Sequence, residues 1–208
     1  MRTAGAAVPW RPQEKLRQYL YLYVAPSPPR GLGLFTSRPA VAGGIVLRVD
    51  DPEYLAGGRP YAQLRDLGYT YGEVFQVDDD LFIPPYGGLD DFTNHSCDPN
   101  CGLRVSPRGF DMVALRDILA DEELTYDYST HQEHPEDEML CQCGTAICRG
   151  VIGRFSGLPL ELQRRYILLG VVSHFAAAAA SPKLRRRRAA SRYGAGPAPC
   201  GSTRPLAG

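Results

Sequence analysis

Residues 91–102 read D-F-T-N-H-S-C-D-P-N-C-G, packing a histidine, two cysteines, two asparagines and a proline into twelve positions. So little apolar material excludes a buried strand. Asn94-His95-Ser96 matches a glycosylation acceptor, the mark of a surface loop in a secreted protein. The rest of the chain argues against that reading. Its start lacks the charged and apolar regions of a signal peptide. The longest strongly apolar run, Ile167 to Val172, is far short of the roughly 20 residues that span a membrane. A soluble, intracellular protein with reduced thiols is therefore expected. Its six cysteines then read as metal ligands or core residues, and the acceptor motif as unmodified.

Outward from this stretch, charge is unevenly spread. The net charge is zero, yet residues 50–138 hold 21 acidic and five basic side chains. Residues 176–208 hold seven basic residues and no acidic one. An acidic middle steers a cationic partner towards it, although the same charge also serves solubility. With 208 residues, 44% of them hydrophobic, the chain is long enough for one domain with a real core and a tail.

The pattern predicts a mostly β protein. Residues 1–15 read as an irregular leader. Tyr19 to Tyr23 alternates aromatic and aliphatic residues, as a strand does. The run A-P-S-P-P-R-G-L-G-L-F (25–35) reads as a loop, because prolines cannot donate to a ladder. Further strands are predicted at Ile45–Val49, Val74–Val77, Leu81–Ile83, Leu103–Val105, Phe110–Leu115 and Glu123–Tyr128. A short helix is expected near Tyr61–Leu67 and a long one at Leu160–Phe175. Residues 176–208, rich in Ala, Arg, Gly and Pro, read as a disordered basic tail. Many short strands without alternating helices exclude a doubly wound nucleotide fold.

Residues 141–150, C-Q-C-G-T-A-I-C-R-G, space three cysteines as C-x-C-x4-C. A tight glycine-containing loop can aim Cys141, Cys143 and Cys148 at one point. A closed zinc site needs four ligands, so one is missing locally; Cys97 and Cys101 are both candidates. Cys200 reads as a bystander. His131 and His134 read as surface histidines, and Asp121-Glu122-Glu123 as a charged turn.

Four motifs now stand in order: R-G-L-G-L-F at 30–35, N-H-S-C-D-P-N at 94–100, D-E-E-L-T-Y-D-Y at 121–128, and the cysteine segment. The series resembles the SET-domain family of protein-lysine methyltransferases with a post-SET zinc segment, over about Tyr19 to Val151. The resemblance implies a SET fold of short strands with a threaded pseudoknot, a zinc loop and a C-terminal helix. It divides the chain into a SET domain at 16–130, a post-SET segment at 131–155, a helix at 156–175 and the tail. S-adenosyl-L-methionine would rest on Gly31, Leu32, Gly33, Asn94, His95 and Tyr128. Cys97 would complete the zinc set. Tyr128 falls at the catalytic tyrosine and Tyr126 at the position that limits product methylation, where tyrosine implies mainly monomethylation. The chain departs from the family at Gly44, Val49 and Asp91, where many members have glutamate, a channel tyrosine and arginine.

The implied chemistry suits these residue types. Free lysine has a pKa of about 10.4 and is almost wholly an ammonium at neutral pH. A dry channel beside a sulfonium disfavours that ammonium, and positioning supplies much of the remaining rate. Tyr126 and Tyr128, two apart on a strand, also fit a plain aromatic face. The expected partner is a basic protein or peptide, histone-like, ribosomal or nucleoid, docking as an added strand. The alternative is a catalytically silent SET module that binds peptide. The arginine-rich tail suggests nonspecific nucleic-acid contact or a nuclear address, with no membrane association. The nucleus is the expected compartment in a eukaryote and the cytoplasm in a bacterium.

Overall fold

The computed structural model describes residues 20–51, 54–106, 108–134 and 138–180. In chain order the strands are β1 (Leu22–Pro26), β2 (Leu32–Thr36), β3 (Ile45–Asp50), β4 (Phe75–Asp78), β5 (Leu81–Ile83), β6 (Asn94–His95), β7 (Cys101–Ser106), β8 (Gly109–Ala114), β9 (Glu122–Tyr126), β10 (Met139–Leu140) and β11 (Val151–Ile152). Helix α1 (Tyr61–Asp66) lies between β3 and β4, and α2 (Leu160–Leu169) and α3 (His174–Ala179) follow β11.

One sheet runs β1-β2-β9-β6 and a second β3-β8-β7. β6 lies parallel to β9, pairing Asn94 with Thr125 and His95 with Tyr126. That single parallel contact sets the N-H-S-C stretch beside the strand that ends in Tyr126. Between the sheets, Leu34, Val46, Leu47, Cys101, Leu103, Met112 and Leu124 form the main core. A second core joins Val113 of β8 to Phe155, Tyr166, Val171 and Phe175. Gly102 on β7 permits this close approach, since a Cβ there would sit 2.7 Å from the Val171 side chain.

Several sequence expectations need correction. The stretch 25–35 is mostly ladder: Pro26 pairs with Leu32 and Ala25 with Gly33. Pro26 is tolerated because β1 is an edge strand and the ladder ends there. The long helix is broken in two. Gly170, at φ +69°, closes α2 in the left-handed conformation that glycine adopts without strain. Ser173 then caps α3, its Oγ accepting the Ala176 N–H at 3.4 Å. Ala176–Ala179 therefore belong to a helix rather than to the tail. Residues 1–19 and 181–208, including the arginine cluster and Cys200, lie outside the described residues. Finally, β9 stops at Tyr126, and Tyr128 opens a 3-10 turn spanning Tyr128–His131. The two tyrosines do not share a strand.

Candidate active site

The G-L-G segment, the N-H-S-C stretch and β9 meet around one carboxylate. Glu123 accepts from Ser27 Oγ at 2.9 Å, Arg30 Nη2 at 2.5 Å and Asn94 Nδ2 at 2.8 Å. Asn94 Nδ2 also donates to the Leu32 carbonyl at 2.9 Å, and Arg30 Nη1 to the His95 carbonyl at 3.0 Å. A Cβ on Gly33 would stand 2.3 Å from Glu123 Oε1, so any larger residue there would push the Glu123 carboxylate out of this arrangement. Gly31 needs its glycine for another reason, a φ of +87°. These bonds leave Gly31 and Leu32 as an exposed backbone rim beside Asn94.

His95 is buried. Its Nδ1 accepts the Tyr128 N–H at 3.1 Å, which assigns the ring proton to Nε2, 3.3 Å from Cys97 Sγ. Burial pushes the imidazole down to about 4, so the ring is neutral although Asp127 lies 3.6 Å away. The Tyr128 hydroxyl donates to the Thr93 carbonyl at 2.7 Å. Burial raises that phenol to about 12, so it stays protonated at neutral pH. Tyr128 is thus fixed at both its backbone and its hydroxyl. Its ring centroid lies 4.8 Å from that of Tyr126.

Both tyrosines line a cavity of about 260 Å³. Its other walls include Phe75, Phe110, Met112, Leu103, Tyr54 and Tyr86, with Glu73, Asp90 and Asp91. Among the described residues, no lysine or arginine lines it. The expectation of two surface histidines fails at His131, which is buried against this cavity and pushed down to about 3 by that burial. His134 packs against the rings of Tyr61, Tyr71 and Phe82.

The sulfurs of Cys97, Cys141, Cys143 and Cys148 all lie within 4.8 Å of one another. Cys97 and Cys141 are 3.7 Å apart, and four sulfurs about 2.3 Å from a tetrahedral zinc would be about 3.8 Å apart. Backbone N–H groups of Arg149 and Gly150 point at Cys97 and Cys148 at 3.3 and 3.4 Å, as thiolates require. The four residues fit structural zinc. Cys101, the other candidate, is fully buried in the main core and takes no part.

Some residues of the site were not singled out from the sequence. Arg149 Nη2 donates to buried Asp127 Oδ1 at 2.7 Å, and the Tyr166 hydroxyl to Asp127 Oδ2 at 3.1 Å. Asp127 therefore ties the cysteine segment and α2 to the tyrosine pair. Glu123 was expected in a charged turn and instead organises the G-L-G contact. Arginine before G-L-G was the available signal for its partner.

Residues 31–129 match the model of the SET domain. A Saccharomyces cerevisiae histone-lysine N-methyltransferase, H3 lysine-4 specific, is 38% identical over 106 residues, covering 45% of this chain and 10% of the yeast protein. The protein of the same name from Eremothecium gossypii is 34% identical over 134 residues, covering 58% and 13%. The chain thus spans about a tenth of these relatives. A crystal structure of KRYPTONITE in complex with mCHG DNA and SAH superposes with a TM-score of 0.48 at 24% identity, covering 63% of this chain and 28% of that one. From the glycine rim to the tyrosine pair, the residues of this site lie within the stretch that matches the SET domain.

Proposed function

We propose that the chain is an S-adenosylmethionine-dependent protein-lysine N-methyltransferase. The observation that carries this reading is the tyrosine pair: Tyr126 and Tyr128 close one wall of an aromatic cavity, beside the crossing of β6 and β9. On this reading the target lysine enters the cavity and the methyl donor lies at the rim of Gly31, Leu32, Gly33, Asn94 and His95. Tyr128, neutral and fixed at two points, orients the reacting nitrogen. The amine attacks the methyl carbon in line, the carbon–sulfur bond breaks, and S-adenosylhomocysteine leaves.

Aromatic walls tolerate a cation, and the acidic lining attracts one. A basic peptide is therefore the substrate class, as the names of the relatives also suggest. Tyr126 narrows the cavity beside Tyr128, which supports mainly monomethylation. Cys97, Cys141, Cys143 and Cys148 would hold zinc as a structural ion with no open position. The arginine-rich tail and the relatives' histone specificity support a nuclear role in a eukaryotic host.

The test is transfer of labelled methyl to core histones and a basic-protein extract, with mass spectrometry of the products. Wild type should make monomethyl-lysine, and Tyr128→Phe should lose at least 100-fold in rate while still binding S-adenosylhomocysteine. Folded, zinc-loaded wild type that binds no cofactor and transfers nothing sinks the proposal and leaves a peptide-binding module.

A further inference from the structure

On the reading above, the acids of the cavity attract a cation, but none of them has a part in the transfer itself. Asp90 lies on the 3-10 turn Leu89–Phe92 and is one of the residues that line the cavity. The Tyr86 hydroxyl donates to Asp90 Oδ1 at 2.5 Å. Tyr86 is itself held edge-on by Tyr54, with ring centroids 5.8 Å apart. Gly88 makes room for the pair, since a Cβ there would be 2.5 Å from Asp90 Oδ1 and 2.6 Å from the Tyr86 ring. The neighbouring Asp91 is already occupied: its Oδ2 accepts the N–H groups of Tyr86, Gly87 and Gly88 at 2.9, 2.6 and 3.1 Å. Asp90 and Tyr128 share an anchor. The Thr93 N–H donates to the Asp90 carbonyl at 3.0 Å, and the Thr93 carbonyl accepts from Tyr128.

Among the described residues, no lysine or arginine on this wall supplies the Asp90 carboxylate with a counter-charge. A lysine ammonium entering the cavity supplies one. Resting on the methyltransferase reading, we infer that Asp90, oriented by Tyr86, receives the ammonium of the substrate lysine and takes its proton before methyl transfer. The step balances: the ammonium N–H bond breaks, the proton moves to the carboxylate, and the neutral amine keeps the electron pair that attacks the methyl carbon. Asp90 returns the proton to water when the product leaves. Tyr86 is the positioning residue.

Burial raises the Asp90 carboxyl to about 7, the donated Tyr86 hydrogen bond opposing that rise and the Asp91 charge adding to it. A base is most useful when its pKa lies near the working pH. The other titratable groups on this cavity are Tyr54, Tyr86 and Asp91 beside Asp90, and Glu73, Tyr126, Tyr128 and His131 around the rest of its wall.

The experiment follows kcat/KM against pH with labelled S-adenosylmethionine and a peptide of the histone H3 amino terminus, using intact core histones as a second acceptor. Wild type should lose activity as pH falls through about 7, where Asp90 becomes protonated. Asp90→Asn should lower the rate by about 100-fold or more and abolish that acid limb. Tyr86→Phe keeps the carboxylate but removes a hydrogen bond that favours its charged form, so the limb should move to higher pH. A binding measurement guards against misfolding. With S-adenosylhomocysteine present at pH 8, wild type should prefer the lysine peptide to one carrying norleucine, and Asp90→Asn should lose the preference. An Asp90→Asn enzyme within threefold of wild type, with the same acid limb, overturns the inference and leaves the methyltransferase reading standing. A folded, zinc-loaded wild type that binds no S-adenosylhomocysteine and transfers nothing to either acceptor overturns both.

Discussion

Tyr126 is one half of the tyrosine pair, and its effect is expected in the product rather than in the rate. Replacing it with phenylalanine removes one oxygen from a cavity of about 260 Å³ and leaves the two tilted rings in contact. On the proposed function, Tyr126→Phe should convert a mainly monomethylating enzyme into one that makes di- and trimethyl-lysine, read as a mass shift on the same peptide. A product distribution unchanged from wild type would count against Tyr126 as the limiting residue. At this scale the sequence was informative where residue type and spacing are unusual together: N-H-S-C, the paired tyrosines and the close cysteines. It was silent on Asp90 and on the role of Asp127, and it read Glu123 only as part of a charged turn. A lone acid is ordinarily solvated surface, and only tertiary packing brings Arg30 to Glu123 and Arg149 to Asp127.

Strand positions were legible because apolar residues alternate or cluster between turn residues, as at Leu81–Ile83, read in full. Errors arose where one residue type outweighed its context. Prolines at 26, 28 and 29 suggested a loop, yet β1 uses Pro26 at its edge and only residues 27–31 form the turn. Apolar content from Leu160 to Phe175 suggested one helix, and the glycine inside it was the overlooked stop. Gly170→Ala tests that account. Alanine at φ +69° carries a left-handed penalty of about 1–2 kcal/mol, and 1 kcal/mol lowers Tm by about 2–4 °C in a domain of this size. The expected outcome is a Tm lower by several degrees in thermal unfolding followed by circular dichroism. An unchanged or higher Tm would mean that α2 and α3 fuse without cost.

Across the whole molecule, the cysteine cluster links parts of the chain that are distant in sequence. Cys97 follows β6, whereas Cys141, Cys143 and Cys148 lie between β10 and β11. Bound zinc closes that loop and stabilises the folded state by its affinity for it. Purified protein should therefore contain one zinc per chain, and a strong chelator should remove it, lower Tm and abolish methyl transfer. Protein isolated with less than a tenth of an equivalent, and indifferent to the chelator, would contradict a structural metal. The sequence could propose this link only through resemblance, because spacing alone left Cys97 and Cys101 equivalent. Burial separates them, one at the cluster and one in the core.

Asp127 has a practical consequence for anyone dissecting the chain. The family match ends at residue 129, a natural place to cut. A fragment ending there would keep the Asp127 carboxylate but lose Arg149 and Tyr166, the two groups from the following segments that hydrogen-bond to it. It would also strip Phe155, Tyr166, Val171 and Phe175 from the face of β8 that they cover. The stretch recognisable by descent is thus smaller than the stretch that folds, and truncations meant to isolate catalysis should extend through α3.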